Sequence, residues 1–354
     1  MESDLEQEYL SENDKDYDMA NITVPLKAIP AYITIQFAWY SFIFTLGVIG
    51  NLYITLTVTC RKEMTTTTNY FIFNLAVSDL GILLVSLPSH VIRDFFSWSF
   101  GKIACQVIIS MNEVFFSVSI CTITVITLER YRAIALPFKP KTSTRGGKVT
   151  IALIWLVSYL VIGFPMTFHM DLELIDQRLI CLPKWPSKDV NKIQTCLIVT
   201  LIIIPLVITG YAYTVMIKTL RQQSQRLQER ANCHRMSRTS LNSSTSLKQD
   251  HRRHRYNAKL VKMLIVIVVV FWISMLPLTL LALVVEFFPD VRVASKAIDG
   301  LYTIFVALFY SNSAFNPVAI YIMSSDLRKG LNTILFYKKR RLSEIRHMHY
   351  VAQN

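Results

Sequence analysis

The chain carries little charge and few signatures of chemistry. Only 17% of its 354 residues are charged, and it contains no Gly-rich phosphate loop, no Cys/His metal spacing and no internal repeat. No nucleophile, base and oxyanion-donor set is apparent, which argues against an enzyme. The acidic N terminus lacks both a basic n-region and an early apolar h-region, so no cleavable signal peptide is expected. The first apolar run would then act as its own targeting signal.

What the chain has is apolar blocks. Hydrophobic residues make up 52% of the sequence, and mean hydropathy is positive. They fall into seven runs: Ala31–Cys60, Thr68–Ile92, Lys102–Leu136, Val149–Met170, Val190–Leu220, Lys259–Phe288 and Ala297–Met323. Each exceeds the roughly 20 residues needed to cross a bilayer as a helix. The pattern predicts an all-α membrane protein, with one membrane domain over residues 31–337 between an acidic tail (1–30) and a basic tail (338–354).

Charge orients it. Glu2, Asp4, Glu6, Glu8, Glu12, Asp14, Asp16 and Asp18 precede the first run, whereas Arg61 and Lys62 follow it. By the positive-inside rule the N terminus is outside. Seven crossings place the C terminus, with Lys338 to Arg341, inside. The segment 220–255 is also cytoplasmic, rich in arginine and hydroxyls, and expected to be helical at its edges and flexible at its centre. Its basic flanks suit kinases. The net charge of +13 is therefore an inner-leaflet feature rather than a nucleic-acid footprint.

Of the six cysteines, Cys105 and Cys181 fall on the outer side. An oxidising exterior would let them pair, the alternative being two unpaired thiols. Asn21-Ile22-Thr23 is an outer glycosylation sequon.

Polar residues inside the runs are costly, and each marks a candidate function. In the third run, Asn112, Phe116, Ser119, Ile123, Ile126 and Arg130 share one helix face. Asp79, midway along the second run, needs a cation, a proton or hydrogen-bond donors. Asn51, Ser119, Asn312, Ser313 and Asn316 lie at comparable depth, enough for a sodium-ion pocket or for a polar network around a protonated carboxyl. Glu113 either pairs with a cationic ligand or links helices. Arg130, held by the adjacent Glu129, is either a switch or an arginine snorkelling to the inner headgroups. Pro205, Pro277 and Pro317 invite kinks in the last three helices.

The ordered set of these residues resembles the rhodopsin-like G-protein-coupled receptors. It includes Gly50-Asn51, Leu75-Ala76 with Asp79, Trp98-Ser99-Phe100-Gly101, Cys105, Glu129-Arg130-Tyr131, Trp155, Pro205 with Tyr213, Phe271 with Pro277, and Asn316-Pro317. The resemblance implies a receptor that couples to a heterotrimeric G protein through Glu129, Arg130, Tyr131, Phe138 and Tyr213, with arrestin and receptor kinases as further partners. It also implies a short amphipathic helix over Ser324 to Tyr337. Candidate ligand-binding residues are Asn112, Glu113, Phe116, Met275, Thr279 and Tyr310.

Three departures stand out. Met275 replaces the aromatic toggle, with Trp272 one turn deeper; Ile320 stands where the family has tyrosine, with Tyr321 rotated by about 100°; and no cysteine follows Tyr337 for a palmitoyl anchor. Tyr310 occupies the position of the retinal-binding lysine, so retinal is not expected. Asn112 replaces the aspartate used by amine receptors.

Outer carboxylates at Asp94, Asp171, Glu173, Asp176, Glu286 and Asp290 join the acidic tail in favouring a basic peptide. The segments Leu136 to Lys141 and Phe271 to Leu278 resemble neuropeptide receptors. The alternatives are a receptor for a small non-peptide ligand, or a transporter or channel. Against the latter, neither an inverted repeat nor a pair of interrupted helices is visible.

Overall fold

The computed structural model describes residues 31–60, 66–138, 140, 142–175, 177–236, 241–288 and 296–323. Asn21 and the acidic tail, Arg61, Lys62, Asp176, Asp290, the centre of the third cytoplasmic loop, the amphipathic helix expected over Ser324 to Tyr337 and Lys338 to Arg341 lie outside them. The chain divides into the units Met1–Trp39 and Tyr40–Asn354. The described part of the first is helical, and the second forms a helix bundle.

The expected seven helices form: α1 Ala31–Cys60, α2 Thr67–Phe95, α3 Gly101–Ala135, α4 Thr144–His169, α5 Lys188–Met236, α6 Leu241–Phe287 and α7 Lys296–Met323. Each contains a stretch long and apolar enough to span a membrane. Polarity is inverted relative to a water-soluble protein. Leu56, Leu84, Leu153, Leu160, Val207, Ile273 and Ile304 are exposed, whereas Asn51, Asp79, Asn312 and Asn316 are buried. Lipid tolerates the first set and excludes the second.

The third helix is central. Its apolar window is 67% buried, against 22% for that of α5, and it packs on α2, α4, α5 and α6. Its start is set by Gly101, whose φ of 78° few other residues adopt at low cost.

Helices α5 and α6 run well past the apolar runs that announce them, to Met236 and from Leu241. Their polar extensions carry no hydropathy signal, which is why the runs end early. Among the described residues the one non-helical element is a hairpin, β1 Met170–Ile175 with β2 Arg178–Pro183, pairing Leu172 with Cys181.

Prolines shape the helices by removing backbone donors. Pro317 cannot bond the carbonyl of Ser313, and the Asn51 side-chain amide donates to that oxygen at 2.9 Å. Gly50 makes this approach possible, since a Cβ there would lie 2.7 Å from the Pro317 ring. The pair Gly50-Asn51 is thus the complement of one proline. Two further prolines, Pro88 and Pro165, follow π-helical turns at Ile82–Ser86 and Tyr159–Gly163. In each case the residue four before the proline lies inside the π turn, where the wider ring absorbs the missing bond and re-aims the helix beyond it.

Candidate functional site

At the outer end of α3, Cys105 is disulfide-bonded to Cys181 of β2, with Cα atoms 5.7 Å apart. The hairpin is also tied to the loop before α3. The Trp98 backbone N–H donates to Leu179 O at 2.7 Å, and the Leu179 N–H donates to Ser97 Oγ at 3.0 Å. Lys102 pairs with Asp171 at 2.9 Å and Lys184 with Glu173 at 3.3 Å. The Lys102 ammonium and the Leu172 N–H hold the exposed Asp171 carboxyl below the usual carboxylate range.

These contacts change the expected acidic field. Asp94 pairs with Arg93 at 3.8 Å and lies 3.4 Å from His90, and Glu286 accepts from Asn191 at 2.8 Å. Each described outer carboxylate named in the sequence therefore has a local partner.

Below the hairpin the candidate ligand residues divide. Phe116 lies 4.0 Å from Phe309 and 6.0 Å from Tyr310, ring centre to ring centre. The Tyr310 hydroxyl donates to Ser86 O at 3.3 Å, and its ring packs on His90 and Tyr40. Asn112 is buried and donates to Ser89 Oγ at 2.8 Å, leaving its carbonyl oxygen without a partner. Met275 belongs to the same buried core as Phe116 and Tyr310. The Thr279 hydroxyl donates to the Met275 carbonyl on its own helix, so it is engaged locally. Glu113 lies within electrostatic reach of Arg93, which in turn hydrogen-bonds Tyr302.

Sequence reasoning missed His90, Arg93 and Tyr302. Arg93 sits one residue beyond the second apolar run and looks like a loop residue. The signal was the spacing of His90, Arg93 and Asp94 at i, i+3 and i+4, which shares one helix face; the π turn at Ile82–Ser86 then sets which way that face points.

Midway down, Asp79 is fully buried. Its carboxylate accepts from Ser119 Oγ at 3.3 Å and from Asn316 Nδ2 at 2.9 Å, with Ser313 beside it. Ser78 and Ser119 hydroxyls lie 2.9 Å apart. Asn51 Oδ1, Asn316 Oδ1 and both polar atoms of Asn312 are buried without partners. Asn74 extends the network: it accepts from Trp155 Nε1 at 2.9 Å and donates to Thr122 at 2.8 Å, joining α2, α3 and α4. No cluster of three or more His, Cys, Asp or Glu that could hold a metal ion occurs among the described residues.

Beneath this polar layer the chemistry reverses. A void of about 10 Å³ is lined wholly by aliphatic side chains, among them Ile123, Ile126, Leu264 and Ile320. With no polar partner it stays dry. Ile320 thus fills the tyrosine position with packing, while Tyr321 turns outward onto Tyr53, 6.2 Å away. Trp272 is buried edge-on against Phe271 at 5.2 Å, one turn below Met275.

At the inner end Glu129 acts on Arg130 electrostatically rather than through a close ion pair. Glu129 accepts a hydrogen bond from Thr142 in the following loop, and no ion pair within 4 Å joins it to Arg130 among the described residues. A carboxylate adjacent in sequence points about 100° away along the helix, which favours the loop hydroxyl. The Arg130 guanidinium interacts electrostatically with both Tyr256 on α6 and Glu129. Tyr213 is buried and bonds Thr127 Oγ1 at 2.9 Å, one turn above Arg130. Tyr131 packs near Tyr211, 6.4 Å between rings. Phe138 is 100% exposed in the loop beyond.

Residues 50–321 match the family described as "7 transmembrane receptor (rhodopsin family)". Among curated proteins, the QRFP-like peptide receptor of Branchiostoma floridae is 30% identical, over 89% of this chain and 80% of that protein. The neuropeptide Y receptor type 2 of Mus musculus is 30% identical over 82% and 73%. The substance-P receptor of Homo sapiens is 28% identical over 85% and 71%.

Proposed function

The chain belongs to the rhodopsin family of seven-transmembrane receptors, and we propose that it binds an extracellular peptide and activates heterotrimeric G proteins. Relatives named as peptide receptors support the ligand class. The observation that carries the coupling end is Phe138: a bare aromatic ring, wholly exposed in the loop that follows the end of α3, is an anchor awaiting a pocket. The receptor sits in the plasma membrane with its N terminus outside and its C terminus inside, as the charge asymmetry directs. The eight carboxylates of the N-terminal tail favour a basic peptide, since the described outer carboxylates are already paired. Arrestin and receptor kinases act on the cytoplasmic face, where loop and tail hydroxyls lie in basic context.

In this reading the polar layer around Asp79 holds a sodium ion. The unpartnered oxygens of Asn51, Asn312 and Asn316, together with the Asp79 carboxylate that Asn316 bonds, are the oxygen donors a hard cation takes. The ion would neutralise the buried carboxylate; Ser119 and Asn316 orient it.

The test is a library of basic, amidated peptides screened against a Gα-dissociation reporter, with Glu113→Gln in parallel. A peptide that triggers dissociation supports the reading, and weaker affinity in Glu113→Gln would place that side chain in the site. Ion or solute flux without Gα dissociation would overturn it.

A further inference from the structure

The hairpin's register fixes which of its main-chain groups are already engaged. The Leu179 N–H donates to Ser97 Oγ and the Leu179 carbonyl accepts from the Trp98 N–H, so both groups point away from β1. Facing residues of an antiparallel pair alternate between two mutual hydrogen bonds and none. Leu174, opposite Leu179, is therefore in a pair without ladder bonds, as are Leu172 opposite Cys181 and Met170 opposite Pro183. Pro183 has no N–H to give, and the Lys184 N–H bonds His169 O at the next position, as this alternation requires. The main-chain groups of Met170, Leu172 and Leu174 thus form the outer edge of β1. Met170 donates to Met166 O and accepts from Gln106 Nε2 at 3.4 Å, and the Leu172 N–H donates to Asp171 Oδ1 at 2.9 Å. Among the described residues no hydrogen bond engages the Leu174 N–H or carbonyl.

The side chains are bare at the same place. Met170, Leu172 and Cys181 lie on the face that packs on the start of α3, and cross-strand pairs share a face, so Leu174 and Leu179 continue it. Met170 and Cys181 are buried, whereas Leu174 is 72% and Leu179 40% exposed. The face covered at its base is open at its tip. The tip is nevertheless held in place, since Arg178 Nη1 donates to Asp94 O at 3.4 Å beside the two Leu179 bonds. A strand edge that proteins usually cap or cover is here free, apolar and fixed.

We propose that Leu174 is the docking point for an extended peptide that adds to β1 as a third strand. One peptide residue exchanges two main-chain hydrogen bonds with Leu174, and the residue two positions away donates to Leu172 O. Their side chains fall on the bare face, which selects apolar residues there. A free N–H and C=O on one strand residue are matched by another main chain. The hairpin, tied to Cys105 at the outer end of α3, also stands above Asn112 and Phe116 further along that helix. The proposal rests on the peptide reading and says how the peptide is gripped.

The test uses the full-length receptor in lipid nanodiscs and, as probe, a pool of basic, amidated peptides, with retained members identified and their affinities ranked by mass spectrometry. Leu174→Pro deletes the free N–H without touching a ladder bond, and proline is tolerated at such edge positions; Leu174→Val keeps the N–H and an apolar side chain. Leu174→Pro should bind the retained peptides about 10-fold more weakly, and Leu174→Val should match the wild type. On the wild-type receptor, N-methylating the retained peptides residue by residue should weaken binding about 10-fold at two positions, two residues apart, and spare the residue between. This series alone decides if Leu174→Pro fails to fold. Undiminished binding by a Leu174→Pro protein of unchanged melting temperature, or N-methylation tolerated throughout, would overturn the proposal and leave the peptide reading intact. Loss of receptor dimers in Leu174→Pro with unchanged peptide binding would assign the edge to a second copy and overturn it likewise. A wild type that retains no peptide would overturn the peptide reading, and the proposal with it.

Discussion

The two ends of the third helix are held by a different balance of forces. Its outer end is fixed by directional contacts: the Cys105–Cys181 disulfide, the Trp98 and Leu179 backbone bonds, the Lys102–Asp171 pair and the neighbouring cluster of His90, Arg93 and Asp94. Its inner half is packed chiefly through aliphatic side chains around Ile123 and Ile126, with single hydrogen bonds such as Thr127–Tyr213 and Thr142–Glu129 in place of a covalent or ionic tie. Directional contacts specify one geometry, whereas aliphatic contacts tolerate sliding as long as area stays buried. The outer end is the fixed reference and the inner end is where helices can rearrange.

Four changes probe that contrast, from the largest effect to the smallest. Replacing Cys105 and Cys181 together by serine should cost about 2–5 kcal/mol in thermal unfolding and remove peptide binding first. Equal peptide binding without the disulfide would mean the outer end is not fixed by it. Ile126→Asn places an unpartnered amide in the dry layer, costing about 1–3 kcal/mol. It should also raise ligand-independent nucleotide exchange, because hydrating this layer favours the rearranged state; unchanged basal exchange would show that the layer does not restrain the inner end. Asn74→Ala strands the Trp155 N–H and should cost about 1–2 kcal/mol, read as a lower melting temperature.

The smallest effect is at the surface. The folded state depresses the Asp171 carboxyl, so its stabilising contribution is present above the unfolded value and is lost as pH falls through the folded one. The melting difference between wild type and Asp171→Asn should therefore shrink on acidification. A difference that grows with acid would contradict the Lys102 pairing.

How much of this was legible in the sequence follows from what each signal measures. Hydropathy reports lipid contact, so all seven helices were visible, while the polar continuations of α5 and α6 and the short hairpin were not. Single costly residues such as Asp79 and Arg130 announce themselves because burying them needs a reason. Arg93 and His90 did not, since they sit at a run's edge, and a π turn that the sequence does not announce sets their direction. The Glu129–Thr142 bond was invisible for another reason: it joins a helix to a loop whose path depends on tertiary packing. Ile320 was recognised as a departure, yet only the structure shows it completing a dry layer.

The most direct test of the central claim, that ligand sensed at the fixed outer end drives Gα coupling at the inner end, is ligand-stimulated nucleotide exchange on Gα at matched surface expression. Wild type should stimulate exchange, while Arg130→Ala and Phe138→Ala should bind the same peptide yet lose nearly all stimulation. Undiminished exchange in both variants would contradict it.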